Sequence, residues 1–127
     1  MKLLLDTSVL IDHLRRDTRA TGVLRDAAIA GDELWGSVVT RTEVLRGMRS
    51  SERGNTMRLL EMLAWTDVTT EIADRAGELA HRYRASHAGI DVADFLIAAT
   101  AELLPARLLT QNIRHFPMFD KLRPAYE

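Results

Sequence analysis

The sequence predicts an α/β domain built on a parallel sheet. Short apolar runs recur along the chain, and stretches with helical spacing of apolar residues separate most of them. Strands that alternate with helices form parallel sheets whose two faces are both covered. The chain has 127 residues, with no linker, repeat or low-complexity stretch, so we expect one domain spanning residues 1–127.

The first half of the chain supplies two strong strand predictions and three helices. Gly31 follows the second amphipathic stretch, where it suits a helix C-terminus. The predicted elements, in order, are a strand over 2–6, helices over 8–15 and 20–30, a strand over 33–39, and a helix from Thr40 to about Arg49.

The second half begins after a polar turn at 50–55. The stretch over 91–104 is apolar nearly all round, which predicts a central, buried helix ended by Pro105. The predicted elements are helices over 56–65, 70–86 and 91–104, a weak strand within TDVT (66–69), a strand over 106–110, a short helix at NIRHF and a final strand in KLRPAYE. The sheet is therefore expected to hold four or five strands.

Composition excludes several classes of protein. Apolar residues make up 46% and charged residues 28%, which is ordinary for a globular protein, and no stretch approaches a membrane span. There is no cysteine, so thiolate metal sites and disulfides are excluded, and a cytoplasmic location is expected. The formal net charge of −1 does not by itself indicate a nucleic-acid binder.

Oxygen-bearing side chains follow the predicted strands. Asp6 ends the first strand, Glu43 opens the helix after the second, Asp94 opens the buried helix, and Asn112 follows the strand that ends at Thr110. In a parallel sheet these segments meet at the carboxyl edge, where ligands bind. Carboxylates crowded there repel each other by about 1 kcal/mol per pair at ~4 Å in water, and by more in a cleft. A hard cation, Mg²⁺ or Mn²⁺, would remove that repulsion.

Each of these residues also has a purely structural interpretation. Thr40 and Glu43 have the spacing of a capping box. Asp91 and Asp94 suit a helix N-terminus, and Asn112 suits a cap. Taken one at a time, the structural and functional interpretations are about equally good, but caps alone give no reason for a shared edge.

Four blocks in order resemble a known family. LLLDTSVLID, TEVLRG, DFLIAATA and LLTQNIRHF are similar to the PIN-domain endoribonucleases, especially the VapC toxins of bacterial toxin–antitoxin pairs. The resemblance covers essentially the whole chain. It implies a three-layer α/β/α PIN fold and an RNA-cleaving site.

The resemblance also implies the site residues. Asp6, Glu43 and Asp94 would be catalytic and would hold Mg²⁺ or Mn²⁺, which activates water to attack the RNA phosphodiester. Asn112 stands where the family often has Asp, so it is a weaker ligand that keeps an oxygen but loses a charge. Asp91 could partly compensate, although a helix cap explains it better.

Neighbouring side chains have predicted supporting roles. Thr7 and Thr110 look like hydroxyls that orient carboxylates or bound water. Arg46 shares a helix face with Glu43, so it either contacts a substrate phosphate or pairs with Glu43. Arg15 and Arg16 could guide RNA or form an ordinary solvated face. The family resemblance further implies a homodimer and a cognate VapB-like antitoxin.

Two other functions compete with a ribonuclease. One is a non-catalytic PIN scaffold that binds nucleic acid or protein, an option that Asn112 leaves open. The other is a haloacid-dehalogenase-like phosphatase, suggested by a strand followed by Asp-Thr. That pattern needs a second Asp where this chain has Ser8, and it needs a later lysine, whereas the chain contains only Lys2 and Lys121.

Overall fold

A four-stranded, fully parallel sheet organises the protein, and the computed structural model describes all residues 1–127. The strand order is β3-β2-β1-β4, so the first strand lies inside the sheet. The strands are β1 (Lys2–Leu5), β2 (Glu33–Ser37), β3 (Ala64–Thr66) and β4 (Arg107–Leu109). Leu4 of β1 is in register with Trp35 on one side and Leu108 on the other.

Six helices cover the two faces of this sheet. They are α1 (Thr7–Leu14), α2 (Thr18–Ile29), α3 (Val38–Gly47), α4 (Arg53–Glu61), α5 (Thr70–Tyr83) and α6 (Val92–Leu103). Short 3₁₀ turns lie at Ser50–Glu52 and Ile113–His115. None of the helices is both long and apolar enough to cross a membrane.

The alternation of β1 separates two hydrophobic cores. Leu3 and Leu5 pack with buried residues of α1, α2, α3 and α4, whereas Leu4 packs with those of α5 and α6. Successive side chains of a strand point to opposite faces, so three consecutive leucines serve both cores. The predicted α/β/α layering and parallel sheet are confirmed. The helix predicted to be central is buried along one continuous stretch, from Ile97 to Ala101.

In the second half of the chain, three elements have bounds that differ from the predicted ones by two residues or more. The helix predicted over 56–65 begins at Arg53 and ends at Glu61, and the weak strand lies at 64–66 instead of 66–69. The side chain of Trp65 explains the shift, because its indole N–H donates to the carbonyl of Leu60 at 2.9 Å while its backbone pairs with Gly36. The helix predicted over 70–86 ends at Tyr83.

The strand predicted in the C-terminal tail does not form, so the sheet has four strands. Pro124 has no N–H to give to a ladder, and one backbone bond, from Ala125 N to Thr110 O at 3.0 Å, joins the tail to the end of β4. The helix predicted from Thr40 begins at Val38. Ser37 is its N-cap, with the hydroxyl accepting from Val39 N at 3.1 Å.

Gly36 gives a test of the packing at β3. A Cβ there would lie 2.6 Å from the Trp65 ring, and the indole bond to Leu60 keeps that ring from moving aside. We expect Gly36→Ala to lower the free energy of unfolding by about 1–3 kcal/mol, as overpacking does. The matched control is Gly77→Ala in α5, where a Cβ meets nothing within 4 Å and should raise stability by about 1 kcal/mol. Urea unfolding of both variants measures the difference, and equal changes would contradict this packing.

Candidate metal centre

Asp6 stands at the carboxyl end of β1, between the ends of β2 and β4. Its backbone N–H donates to Leu109 O at 2.9 Å, and its carbonyl accepts from Val9 N at 3.1 Å as the first helical bond of α1. The backbone of Asp6 is thus the N-cap of α1, but its side chain makes no capping bond. The Asp6 carboxylate is therefore available for contacts other than capping, although the residue is only 3% exposed.

Two hydroxyl groups hold the Asp6 carboxylate. Ser8 donates to Oδ2 at 2.9 Å and Thr110 donates to the same oxygen at 2.7 Å. Both hydrogen bonds are accepted by the same carboxylate oxygen, Oδ2. No side chain donates to the other carboxylate oxygen, Oδ1. Because no buried polar side-chain atom lacks a hydrogen-bond partner, Oδ1 is accessible, and it is the oxygen that Asp6 offers to the cleft described below.

Glu43 approaches from α3 and is held by Thr7. The Thr7 hydroxyl donates to Glu43 Oε1 at 2.7 Å and lies 3.2 Å from the hydroxyl of Thr40. The capping box expected between Thr40 and Glu43 does not form, because Ser37 starts the helix three residues earlier. Glu43 therefore lies in the second turn, where its carboxylate reaches the segment after β1.

Asp94 enters from the first turn of α6. Its Oδ2 lies 3.2 Å from His115 Nδ1 and accepts the N–H of Asp91 at 3.4 Å. Burial raises the pKa of Asp94 to about 6, and the negative charges of Asp6 and Glu43 add to the rise, while His115 opposes it. The charges of Asp6 and Glu43 are therefore close enough to Asp94 to act on its carboxyl group.

One cleft of about 260 Å³ joins these groups. The structure places all three predicted acids on its wall. Asp91, Asn112 and His115 line it as well. Asn112 makes no side-chain cap on the 3₁₀ turn that follows it, although its N–H donates to the Thr110 hydroxyl at 2.9 Å. The amide predicted as a weaker ligand therefore borders the same space as the acids.

The donors around this cleft are the hard oxygens that Mg²⁺ and Mn²⁺ prefer. Asp6 Oδ1 is free of protein bonds, and the raised pKa of Asp94 marks a place where added positive charge would relieve repulsion. No three carboxylate or imidazole side chains converge on a single point. The residues fit such an ion in their chemistry, and their side chains would have to move inward to hold it.

The arginines with predicted RNA contacts lie away from the acids. Arg46 is exposed, and neither borders the acidic cleft nor forms the ion pair with Glu43. Arg15 borders a groove of about 390 Å³ that shares Ile11 with the acidic cleft. Arg16, in the left-handed backbone region at φ 65°, borders another groove with Arg25. Arg15 and Arg16, which the sequence predicted could guide RNA together, thus border two different grooves.

Three residues at the site were not assigned from the sequence, and one of them is His115, whose Nδ1 lies 3.2 Å from Asp94. Ser8 bonds to Asp6, and its spacing of two residues was a signal that could have found it. Gln111 contributes through its backbone N–H, which donates to Ser8 Oγ at 3.1 Å. No local pattern indicates that contact, because the two residues are 103 positions apart.

Comparison with known proteins shows which family this chain belongs to. Residues 3–122 match the PIN domain. The chain belongs to the PIN-domain family. Ribonuclease VapC19 of Mycobacterium tuberculosis is 46% identical over 123 residues, covering 97% of this PIN domain and 98% of the relative. Ribonuclease VapC10 of the same organism is 44% identical over 124 residues, covering 98% and 92%. The predicted resemblance to VapC proteins is confirmed.

Solved structures agree on the fold. VapBC-1 from nontypeable Haemophilus influenzae aligns with a TM-score of 0.79 at 21% identity, covering 98% of both chains. A toxin–antitoxin complex from Klebsiella pneumoniae aligns with a TM-score of 0.76 at 24% identity, also over 98% of both chains. At these identities the likeness shows that the PIN domain has the same architecture as those chains.

The raised pKa of Asp94 makes metal-free stability depend on pH. The pKa of about 6 in the folded protein exceeds the ordinary value of 3.8, so the folded state binds more protons between these values. Stability is therefore lost as pH rises from about 4 to 6. In EDTA, Asp94→Asn should melt higher than the wild type at pH 7, and the gain should shrink towards pH 4. Exposed Asp74→Asn in α5 is the control and should show no such trend. A gain independent of pH would contradict the shared charge environment.

Proposed function

We propose that this PIN domain is a metal-dependent endoribonuclease and the toxin of a toxin–antitoxin pair. The observation that carries the proposal is the acidic cleft, where Asp6, Glu43 and Asp94 arrive from three different elements at one sheet edge. The names of the VapC relatives support RNA as the substrate. Structural neighbours that contain both toxin and antitoxin support the antitoxin partner. A homodimer stays a prediction of the family resemblance.

The three acids would hold Mg²⁺ or Mn²⁺, with Asn112 as a neutral fourth oxygen donor. Such an ion lowers the pKa of bound water and neutralises charge that develops on a phosphate. The chain's own contribution is positional. Ser8 and Thr110 hold one oxygen of Asp6, and Thr7 holds one oxygen of Glu43, so each carboxylate is fixed on one side and available on the other.

His115 has a separate role in this proposal. Its Nδ1 lies 3.2 Å from Asp94, so a protonated ring would neutralise that carboxylate and compete with a cation. From this position the His115 ring would also orient Asp94 or contact the RNA. The grooves that hold Arg15 and Arg16 provide positive charge beyond the cleft for the phosphates of a longer RNA.

The phosphatase alternative has little support from the site. Ser8, in place of a second Asp, donates a hydrogen bond to Asp6, and neither lysine borders the cleft. Lys2 instead lies over the Trp35 ring, 5.4 Å from its centroid. A non-catalytic scaffold remains the second candidate, favoured by Asn112 in place of an acid.

Substitution of the acids tests the nuclease directly. Asp6→Asn, Glu43→Gln and Asp94→Asn should each lower RNA cleavage by at least about 100-fold, the upper end of what losing a ligand's supporting partner costs a metal site. Each variant should stay folded by circular dichroism, and Asp74→Asn should cleave as the wild type does. Wild-type cleavage should also stop in EDTA and return with Mg²⁺. Cleavage that persists in the folded acid variants would reject this site.

Asn112 gives a test with the opposite sign. Asn112→Asp adds a negative charge to the cleft, so it should lower the Mg²⁺ concentration for half-maximal cleavage and destabilise the metal-free protein. Added Mg²⁺ should then raise its melting temperature more than that of the wild type, because the ion binds only the folded state. Identical responses of both proteins to Mg²⁺ would show that Asn112 takes no part in the site.

A further inference from the structure

The C-terminal segment, residues 125–126, does not line the acidic cleft. It is hydrogen-bonded to Thr110 and Gln111, which adjoin the cleft. We propose that this segment and Gln111 are positioning elements of the site, which hold the turn at residues 110–112 so that two hydroxyls point at Asp6. This inference rests on the proposed function and deepens it, because it adds residues that tune the same site.

The turn at 110–112 sets the direction of both hydroxyl donors. Ser8 Oγ accepts the N–H of Gln111 at 3.1 Å, and Thr110 Oγ1 accepts the N–H of Asn112 at 2.9 Å. A hydroxyl has one proton to donate. With an N–H aimed at its lone pair, each hydroxyl directs that proton to Asp6 Oδ2. Two backbone N–H groups of one turn therefore orient both donors.

The side chain of Gln111 joins this turn to the C-terminal segment. Its Nε2 donates to Tyr126 O at 2.9 Å and its Oε1 accepts from Tyr126 N at 3.1 Å. The amide thus pairs with one residue's backbone as a neighbouring strand would. The bond from Ala125 N to Thr110 O at 3.0 Å adds a third connection. Displacing the segment would break all three bonds and remove the support that the turn has on this side, leaving the bonds of Gln111 N and Asn112 N to the two hydroxyls.

Tyr126 anchors the segment to the elements that follow Asp6. The residue is 8% exposed and packs in the core that contains Leu3 and Leu5. Its hydroxyl donates to Asp12 of α1, and the Arg19 guanidinium lies 5.3 Å from its ring centroid. The segment therefore connects α1, which begins beside Asp6, with the turn that orients the donors to Asp6.

The test compares three variants by metal binding without RNA. Gln111→Leu keeps the bulk of the side chain but removes both amide bonds. Tyr126→Phe removes only the bond to Asp12. Trp65→Phe is the control, since it removes a side-chain bond to the backbone at β3, away from the cleft. Calorimetric titration with Mn²⁺ and thermal melting in EDTA are measured for each, and RNA cleavage is measured in parallel.

We expect Gln111→Leu to weaken Mn²⁺ binding by about tenfold, the lower end of the cost of losing an outer partner of a metal ligand. Tyr126→Phe should weaken it less, and Trp65→Phe should lower only the melting temperature. If the wild type cleaves RNA but Gln111→Leu binds Mn²⁺ with wild-type affinity, the positioning role is wrong and the nuclease stands. If the wild type binds Mn²⁺ without cleaving RNA and Gln111→Leu weakens binding, the nuclease is wrong and the positioning role stands.

Discussion

The hydrogen bonds from Ser8 and Thr110 to one oxygen of Asp6 are the interaction on which the acidic cleft depends. A carboxylate that is 3% exposed must keep partners for its charge, and these two hydroxyls supply them from opposite ends of the chain. They reach Asp6 because β1 lies next to β4 in a parallel sheet. The order of the strands therefore determines which segments can donate to this carboxylate, and the most buried acid directly follows β1, a strand inside the sheet.

The same topology brings unfavourable charge together at that edge. Asp94 shows the consequence, since burial and the charges of Asp6 and Glu43 raise its pKa to about 6. Hydroxyl donors and His115 offset part of this repulsion. A folded protein that retains such a cluster gives up stability there, as active sites commonly do. This cost supports the proposal that the cluster binds a cation, even though Asp94 also caps α6 through the N–H of Asp91.

The local pattern of apolar and polar residues was enough to predict most of the strands and helices. It failed where contacts between distant residues determine the structure. The leucines of β1 and the alanine-rich α6 predicted their own burial, and parallel topology then predicted the shared edge. The start of α3 was missed because Ser37 and Thr40 are equally good caps in sequence, and the end of β2 selects Ser37. The strand at Trp65 depends on a close fit against Gly36. The role of Gln111 could not be predicted from the sequence, because its hydrogen-bond partners lie 15 and 103 positions away.

The pKa of Asp94 tests the central claim, that three carboxylates share one cation-binding cleft. Carbon-13 NMR of the Asp94 carboxyl group can follow its titration in EDTA, with added Mg²⁺ and in an Asp6→Asn background. We predict a pKa of about 6 in EDTA, a lower value with Mg²⁺, and a lower value when Asp6 loses its charge. An ordinary pKa that neither Mg²⁺ nor Asp6→Asn changes would contradict the account.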